Sequence, residues 1–276
     1  MKPNKKGLNG IGVLFFPPEC NNKCIICDYT GPVKGLQKDF EGYKREINNL
    51  AEKHGVVQLY GGEPFLNPDI FRILEHIARF DVECMIWSNT RVFSRKSLAE
   101  KISKFRISRI QTTLFSYNEM VHDYHTGVSG SYSEAVEGIK NLLDVGVPVG
   151  ATIVVTKKNL NDLEKTVEFL INLGVKKIKI SGLVNFGRML NRPDLIPDFD
   201  GVKREIKKVL RIARQPGVLL AFEKLPRCAA MENSNFIYEQ CHKSIMLICP
   251  PQKENCLNCP LTGECMCSNG GLDKIS

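Results

Sequence analysis

Three cysteines, Cys20, Cys24 and Cys27, stand at C-x3-C-x2-C spacing just after the short apolar run 11–15. Three thiolates this close can converge within one loop, and two kinds of centre suit them. Tetrahedral zinc accepts thiolates but wants a fourth ligand nearby. The loop holds no histidine, and only Asp28 could complete such a site. An iron–sulfur cubane can take three thiolates and leave one iron open to a ligand. A second group, Tyr60-Gly61-Gly62-Glu63-Pro64, follows the apolar run 56–60. Its two glycines let a ligand come close to the backbone, and Glu63 offers a carboxylate to an ammonium group. On its own the Gly-Gly pair reads equally well as a plain turn.

The remaining cysteines sharpen the reading. The chain of 276 residues has eleven, and seven of them fall within 228–276. These are Cys228, Cys241, Cys249, Cys256, Cys259, Cys265 and Cys267, the last four at C-x2-C-x5-C-x-C spacing. No apolar run approaches the roughly 18 residues of a membrane span. The opening ten residues have no apolar signal core, so a cytoplasmic, reducing location with no membrane is expected. Disulfides do not persist there, and cysteines in such numbers read as metal or cluster ligands. Cys84 stands alone in the apolar run 82–87 and is expected to be a core thiol.

Net charge is +8, which raises a nucleic-acid partner as a weaker possibility. Residues 176–214 concentrate the positive charge, and 202–214 form an amphipathic helix with Val202, Ile206, Val209, Leu210 and Ala213 on one face. A solvated outer face is the simpler expectation for its lysines and arginines. A third cluster, His122-Asp123-Tyr124-His125 before Gly127, Gly130 and Ser131, could do acid–base work. Turn and capping chemistry is favoured.

The elements that must position these groups alternate along the chain. Strands are expected at 11–15, 56–60, 82–87, 107–115, 147–155 and 175–180, with helices between them ended by Gly55, Gly146 and Gly174. Six βα units imply parallel strands under outer helices, hence an α/β fold built as a partial (β/α)6 TIM-like barrel. Chemistry in such folds sits at the carboxyl ends of the strands. The cysteine loop and the Gly-Gly-Glu-Pro turn therefore share one rim. Beyond about residue 225 the alternation fails, and the segment is too poor in apolar residues to hold itself without metal.

These two motifs on one rim resemble the radical SAM superfamily over about residues 11–186. The resemblance implies a [4Fe-4S] cluster on Cys20, Cys24 and Cys27. Its open iron would chelate S-adenosylmethionine, whose methionine amino group would meet Gly61, Gly62, Glu63 and Pro64. Ser88 and Asn89 would face the carboxylate or ribose, Ser116 the ribose, and Val154 with residues 181–184 the adenine. Reductive cleavage would yield a 5′-deoxyadenosyl radical that removes a hydrogen atom from the substrate. The position before the third cysteine, usually aromatic, is Ile26; Tyr29 is the candidate substitute against adenine.

The tail resembles the SPASM extension, although its last cysteine gap is shorter than usual. The expected organisation is therefore a radical SAM partial barrel over 1–225 and an auxiliary-cluster extension over 226–276. Cys228, Cys241, Cys249 and Cys267 would hold one auxiliary [4Fe-4S] cluster, and Cys256, Cys259 and Cys265 a second. Zinc is the competing occupant. With three clusters bound, net charge falls from +8 to about +4, which weakens the case for RNA.

Relatives with such caps mostly modify peptides or proteins, so an oxidative peptidyl modification is expected, supplied with electrons by a flavodoxin or ferredoxin. Cofactor or natural-product biosynthesis and tRNA modification are the enzyme alternatives. An iron–sulfur electron-transfer or scaffold protein is the non-enzyme alternative, and it gives Gly61–Pro64 no role. Only ten residues precede the first strand, so peptide docking is expected from a partner. The catalytic acid or base, the substrate and the bond changed are not readable.

Overall fold

A computed structural model of the chain describes residues 10–29, 36–184, 186–212, 216–225 and 237–238. Eight strands form one parallel sheet in sequence order: β1 (Ile11–Phe15), β2 (Val56–Tyr60), β3 (Glu83–Trp87), β4 (Ile107–Thr113), β5 (Val149–Val154), β6 (Lys177–Ser181), β7 (Leu219–Glu223) and the two-residue β8 (Ile237–Tyr238). The helices are α1 (Phe40–Lys53), α2 (Ile70–Ile77), α3 (Lys96–Ile102), α4 (Glu119–Thr126), α5 (Ser131–Asp144), α6 (Leu163–Asn172) and α7 (Phe199–Ile212). The six expected strands are all present, and β7 extends the series. The expected amphipathic helix is α7, and it is the crossover that delivers β7 parallel to β6. Its buried residues are apolar apart from Gly201 and Glu205, and Val202, Ile206 and Val209 are fully covered.

Sequence periodicity explains the layering. Side chains alternate across each strand. Leu14, Leu59, Ile86 and Ile110 lie side by side across β1 to β4, and all four are wholly buried. Ile153, Ile180 and Phe222 continue this apolar face across β5 to β7. Helix residues such as Ile47, Ile73, Ile139 and Val167 join the same core. Burying a Leu or Ile side chain stabilises by about 1.5–3 kcal/mol, so this outer layer holds the barrel together. Cys84 belongs to it, 3% exposed, and burial pushes its thiol up to about 12. It is a core thiol, as expected.

The opposite face of the sheet reads differently: Gln58, Trp87, Arg109, Gln111, Thr152 and Lys179 line a cavity. Two aspartates cap helix starts. Asp39 accepts from the Gly42 amide at 2.8 Å and starts α1. Asp123 on α4 caps α5, accepting from Gly130 N, Ser131 Oγ and Tyr132 N at 2.6–2.8 Å. The His122–Ser131 cluster is thus capping chemistry, although α4 itself, not foreseen as a helix, carries it. No described helix is long and apolar enough to cross a membrane.

Candidate active site

The loop carrying Cys20, Cys24 and Cys27 leaves the carboxyl end of β1 and is fixed from several sides. Below it, Gly62 N–H donates to Pro17 O at 3.1 Å and Glu63 N–H to Glu19 O at 2.8 Å. From the end of α4, Thr126 O and His125 O accept from Lys23 N at 2.8 Å and Ile25 N at 2.9 Å. Arg91, just after β3, donates from Nη1 to Asn21 O and to Asn22 Oδ1, and from Nε to Glu134 on α5. Arg188 donates from its amide to Cys27 O and from Nη1 to Cys24 O. Arg91 and Arg188 were not singled out in the sequence. The only signal for Arg91 was its place directly after Ser88-Asn89-Thr90 at a strand end.

The glycines of the second motif line the cavity and are also pressed against the cysteine loop. A Cβ on Gly61 would lie 2.4 Å from Phe16 O, and one on Gly62 would lie 2.2 Å from Glu19 O. Gly61 also sits at φ +149°, a region L-residues rarely occupy. The close backbone approach they permit is first of all that of the cysteine loop. Glu63 is 3% exposed. Its carboxylate accepts from Ser88 Oγ at 2.9 Å, Asn89 N at 2.9 Å and Phe65 N at 3.2 Å. Burial pushes this carboxyl up to about 7, against the pull of those donors. A ligand ammonium beside it would favour the ionised form.

Cys20, Cys24, Cys27, Gly61, Gly62 and Glu63 all line one cavity of about 580 Å³, which continues down the inner face of the sheet. Ser88, Asn89 and Val154 line it too, and Asn89 Nδ2 lies 3.6 Å from Cys20 Sγ. Three of the expected contact residues, Ser116, Pro64 and Tyr29, lie off the cavity lining. Ser116 Oγ donates to Asp162 at 2.7 Å and accepts from Asn118 N at 2.9 Å, so Ser116 faces the helices. The alternation from Gln111 through Thr113 sends Phe115, its neighbour, into the cavity instead. Pro64 is buried as the first residue of the 3-10 turn Pro64–Leu66 and does not line the cavity. Tyr29 also turns away: its hydroxyl donates to Phe16 O at 2.7 Å, and its ring stacks on Phe15. Ile26 packs with Phe115, Leu183, Met189 and Leu195 in a small apolar cluster at the rim.

The donor set fits a thiophilic centre. All three cysteines are free. Burial, then the charges of Cys27 and Cys20, push the Cys24 thiol up to about 12, and burial raises the other two. The protein alone keeps these sulfurs protonated, and metal must displace the protons. Among the described residues no three His, Cys, Asp or Glu side chains are placed to hold a single metal ion. A cubane binds each thiolate through a different iron. Cys228, Cys241, Cys249, Cys256, Cys259, Cys265 and Cys267 lie outside the described residues.

Comparison with known proteins agrees with this geometry. The sequence pattern of the radical SAM superfamily matches residues 14–170, more than half of the chain. An uncharacterized protein of Methanocaldococcus jannaschii is 29% identical over 227 residues, covering 78% of this chain and 75% of that one. A probable GTP 3′,8-cyclase of Saccharolobus solfataricus is 31% identical over 179 residues, 62% of this chain and 56% of the cyclase. Among solved structures, Streptococcus suis SuiB bound to S-adenosylmethionine superimposes with a TM-score of 0.63 at 18% identity, covering 85% of this chain and 48% of SuiB. SuiB has also been solved with its precursor peptide SuiA. The chain thus spans about half the length of SuiB and little more than half of the cyclase.

Proposed function

Because this chain belongs to the radical SAM superfamily and is one of its enzymes, we propose that it cleaves S-adenosylmethionine reductively in order to modify a peptide or protein oxidatively. Family membership implies a [4Fe-4S] cluster and S-adenosylmethionine. In our reading Cys20, Cys24 and Cys27 hold the cluster, and Gly61, Gly62 and Glu63 receive the cofactor's methionine end. When bound, the pair supplies a 5′-deoxyadenosyl radical that takes a hydrogen atom from the substrate. The chain's own residues do the positioning. Glu63 and Asn89 set the polar end of the site beside Cys20. Ile26, Phe115, Val154 and Leu183 offer an apolar wall to adenine. The described barrel leaves its inner face free for a substrate.

The observation that carries the reading is convergence. The three cysteines, the Gly61–Glu63 turn and Ser88–Asn89 come from three different strand ends and meet on one cavity. The peptide assignment is supported by the cysteine pattern of 226–276, read as a SPASM-like extension with one or two auxiliary clusters that accept the substrate's electron. Oxygen-free protein, reconstituted with iron and sulfide and given a reductant, should release 5′-deoxyadenosine from S-adenosylmethionine. Fully clustered material that leaves the cofactor intact would sink the reading. Peptide modification predicts a mass loss in the product.

A second reading rests on sequence. The stretch similar to the Saccharolobus cyclase supports a small nucleotide substrate within the same site. A product that retains a nucleobase, in place of a lightened peptide, would select it.

A further inference from the structure

We propose that Arg109 is a substrate-binding residue on the floor of the barrel, where it takes a carboxylate or phosphate group. This rests on the radical SAM reading above and gives the substrate a chemical class: an extended molecule with an oxyanion at one end. Arg109 is the first inward-facing residue of β4, in register with Met85 of β3, and it lines the same cavity as the cysteine loop. It lies four residues before Thr113, which ends β4, or roughly 13 Å along the strand. The oxyanion is therefore bound well below the rim where hydrogen is removed.

Three observations make this a site. First, the side chain is housed. A Cβ on Gly150 of β5 would lie 2.9 Å from Arg109 Cδ and 2.5 Å from Gln111 Oε1, so the missing side chain is the slot in which the arginine stem lies. Second, the guanidinium is short of acceptors. Nη2 donates to the Met85 thioether at 3.0 Å, a weak acceptor. Nε is buried with no hydrogen-bond partner among the described residues. The cavity's three carboxylates are engaged elsewhere, Asp28 by the Tyr60 hydroxyl, Glu63 by Ser88 and Asn89, and Glu223 by Lys179 and Lys224.

Third, a further buried donor without a partner lines the same cavity: Trp87 Nε1, on β3. The Lys179 ammonium lies 5.8 Å from the centroid of that indole. A guanidinium whose Nε is enclosed without an acceptor stays under-satisfied until an anion arrives. Its planar fork matches carboxylate and phosphate oxygens bidentately.

The test uses the full-length, anaerobically reconstituted enzyme. Inorganic pyrophosphate and glutarate serve as probes for the two oxyanion classes. Binding is read by calorimetry and by emission from Trp87, the chain's single tryptophan. We expect saturable binding of at least one probe, the tighter one naming the class. Arg109→Gln should raise its Kd at least tenfold. Arg109→Lys should raise it less, because it keeps the charge and loses the fork. Arg106→Gln, on the exposed surface, should leave it unchanged. The proposal is overturned if neither probe binds the wild-type enzyme saturably, or if Arg109→Gln with normal iron content and circular dichroism binds like the wild type. Cofactor cleavage by the same wild-type sample separates the two levels. Cleavage without anion binding defeats this proposal alone, and absent cleavage defeats the functional reading.

Discussion

Replacing Gly62 by alanine should disable the site while leaving the barrel folded. The new Cβ would lie 2.2 Å from Glu19 O and 2.6 Å from Pro17 O. Both are backbone atoms, so no side chain can rotate away, and the loop must retreat by about 1 Å to restore ordinary contact. That retreat stretches the Gly62–Pro17 and Glu63–Glu19 hydrogen bonds, now 3.1 and 2.8 Å, to or past their useful limit. Each contributes about 1 kcal/mol net. The loss of about 2 kcal/mol is modest against the 5–15 kcal/mol typical of a folded domain. Cys20, however, adjoins Glu19, and a displacement of about 1 Å at a reacting centre can cost on the order of 100-fold in rate. The assay is 5′-deoxyadenosine formation, with iron content and thermal unfolding measured in parallel. A Gly62→Ala protein with full iron and the wild-type cleavage rate would refute the idea that the glycine exists to seat the loop.

Four further outcomes are expected. Glu63→Gln keeps the shape and most hydrogen bonds but removes the charge offered to an ammonium, so the Kd for S-adenosylmethionine should rise by about tenfold or more, as calorimetry can show. Cys24→Ser should remove the iron absorbance of the barrel cluster and abolish cleavage; retained iron at that cluster would contradict the ligand assignment. Arg91→Gln loses its bonds to Asn21, Asn22 and Glu134, about 1–3 kcal/mol for a charged, largely buried donor, and should lower loop cluster occupancy more than Glu134→Gln does.

His122, 1% exposed, accepts at Nδ1 from Phe115 N–H, and burial holds its pKa down to about 4 against an ordinary 6.5. Its contribution is therefore complete above pH 6.5 and is lost as pH falls toward 4, by about 3 kcal/mol. His122→Phe should flatten that part of the denaturant stability profile, and an unchanged acid slope would show that the imidazole is not the responsible group.

Much of this was legible in the residues. The Cys20–Cys27 spacing and the strands that carry the two motifs could be read directly because turn glycines and β-branched runs mark βα junctions. What escaped has a common cause. Strand β7 escaped the six-unit reading because its apolar run, 218–222, is short and no helix-and-glycine signal follows it before the cysteine-rich segment. Ser116 and Pro64 were expected at the cofactor because they stand at strand ends. Being on a rim, however, does not fix which way a side chain points. One residue of register separates Phe115 in the cavity from Ser116 against Asp162. Arg109 carries no motif at all. Its interest comes from Met85, Trp87 and Gly150, which are distant in sequence and adjacent only once β3, β4 and β5 pair.

The two faces of the sheet divide the work of the chain. Cohesion comes from the aliphatic side chains pressed beneath the helices. The lumen, furnished with amides, hydroxyls and a few charges, contributes little to it. Gln58, half-buried on the lumen side, can be exchanged with little loss of cohesion, whereas Gln111 and Thr152 are buried and bonded to each other.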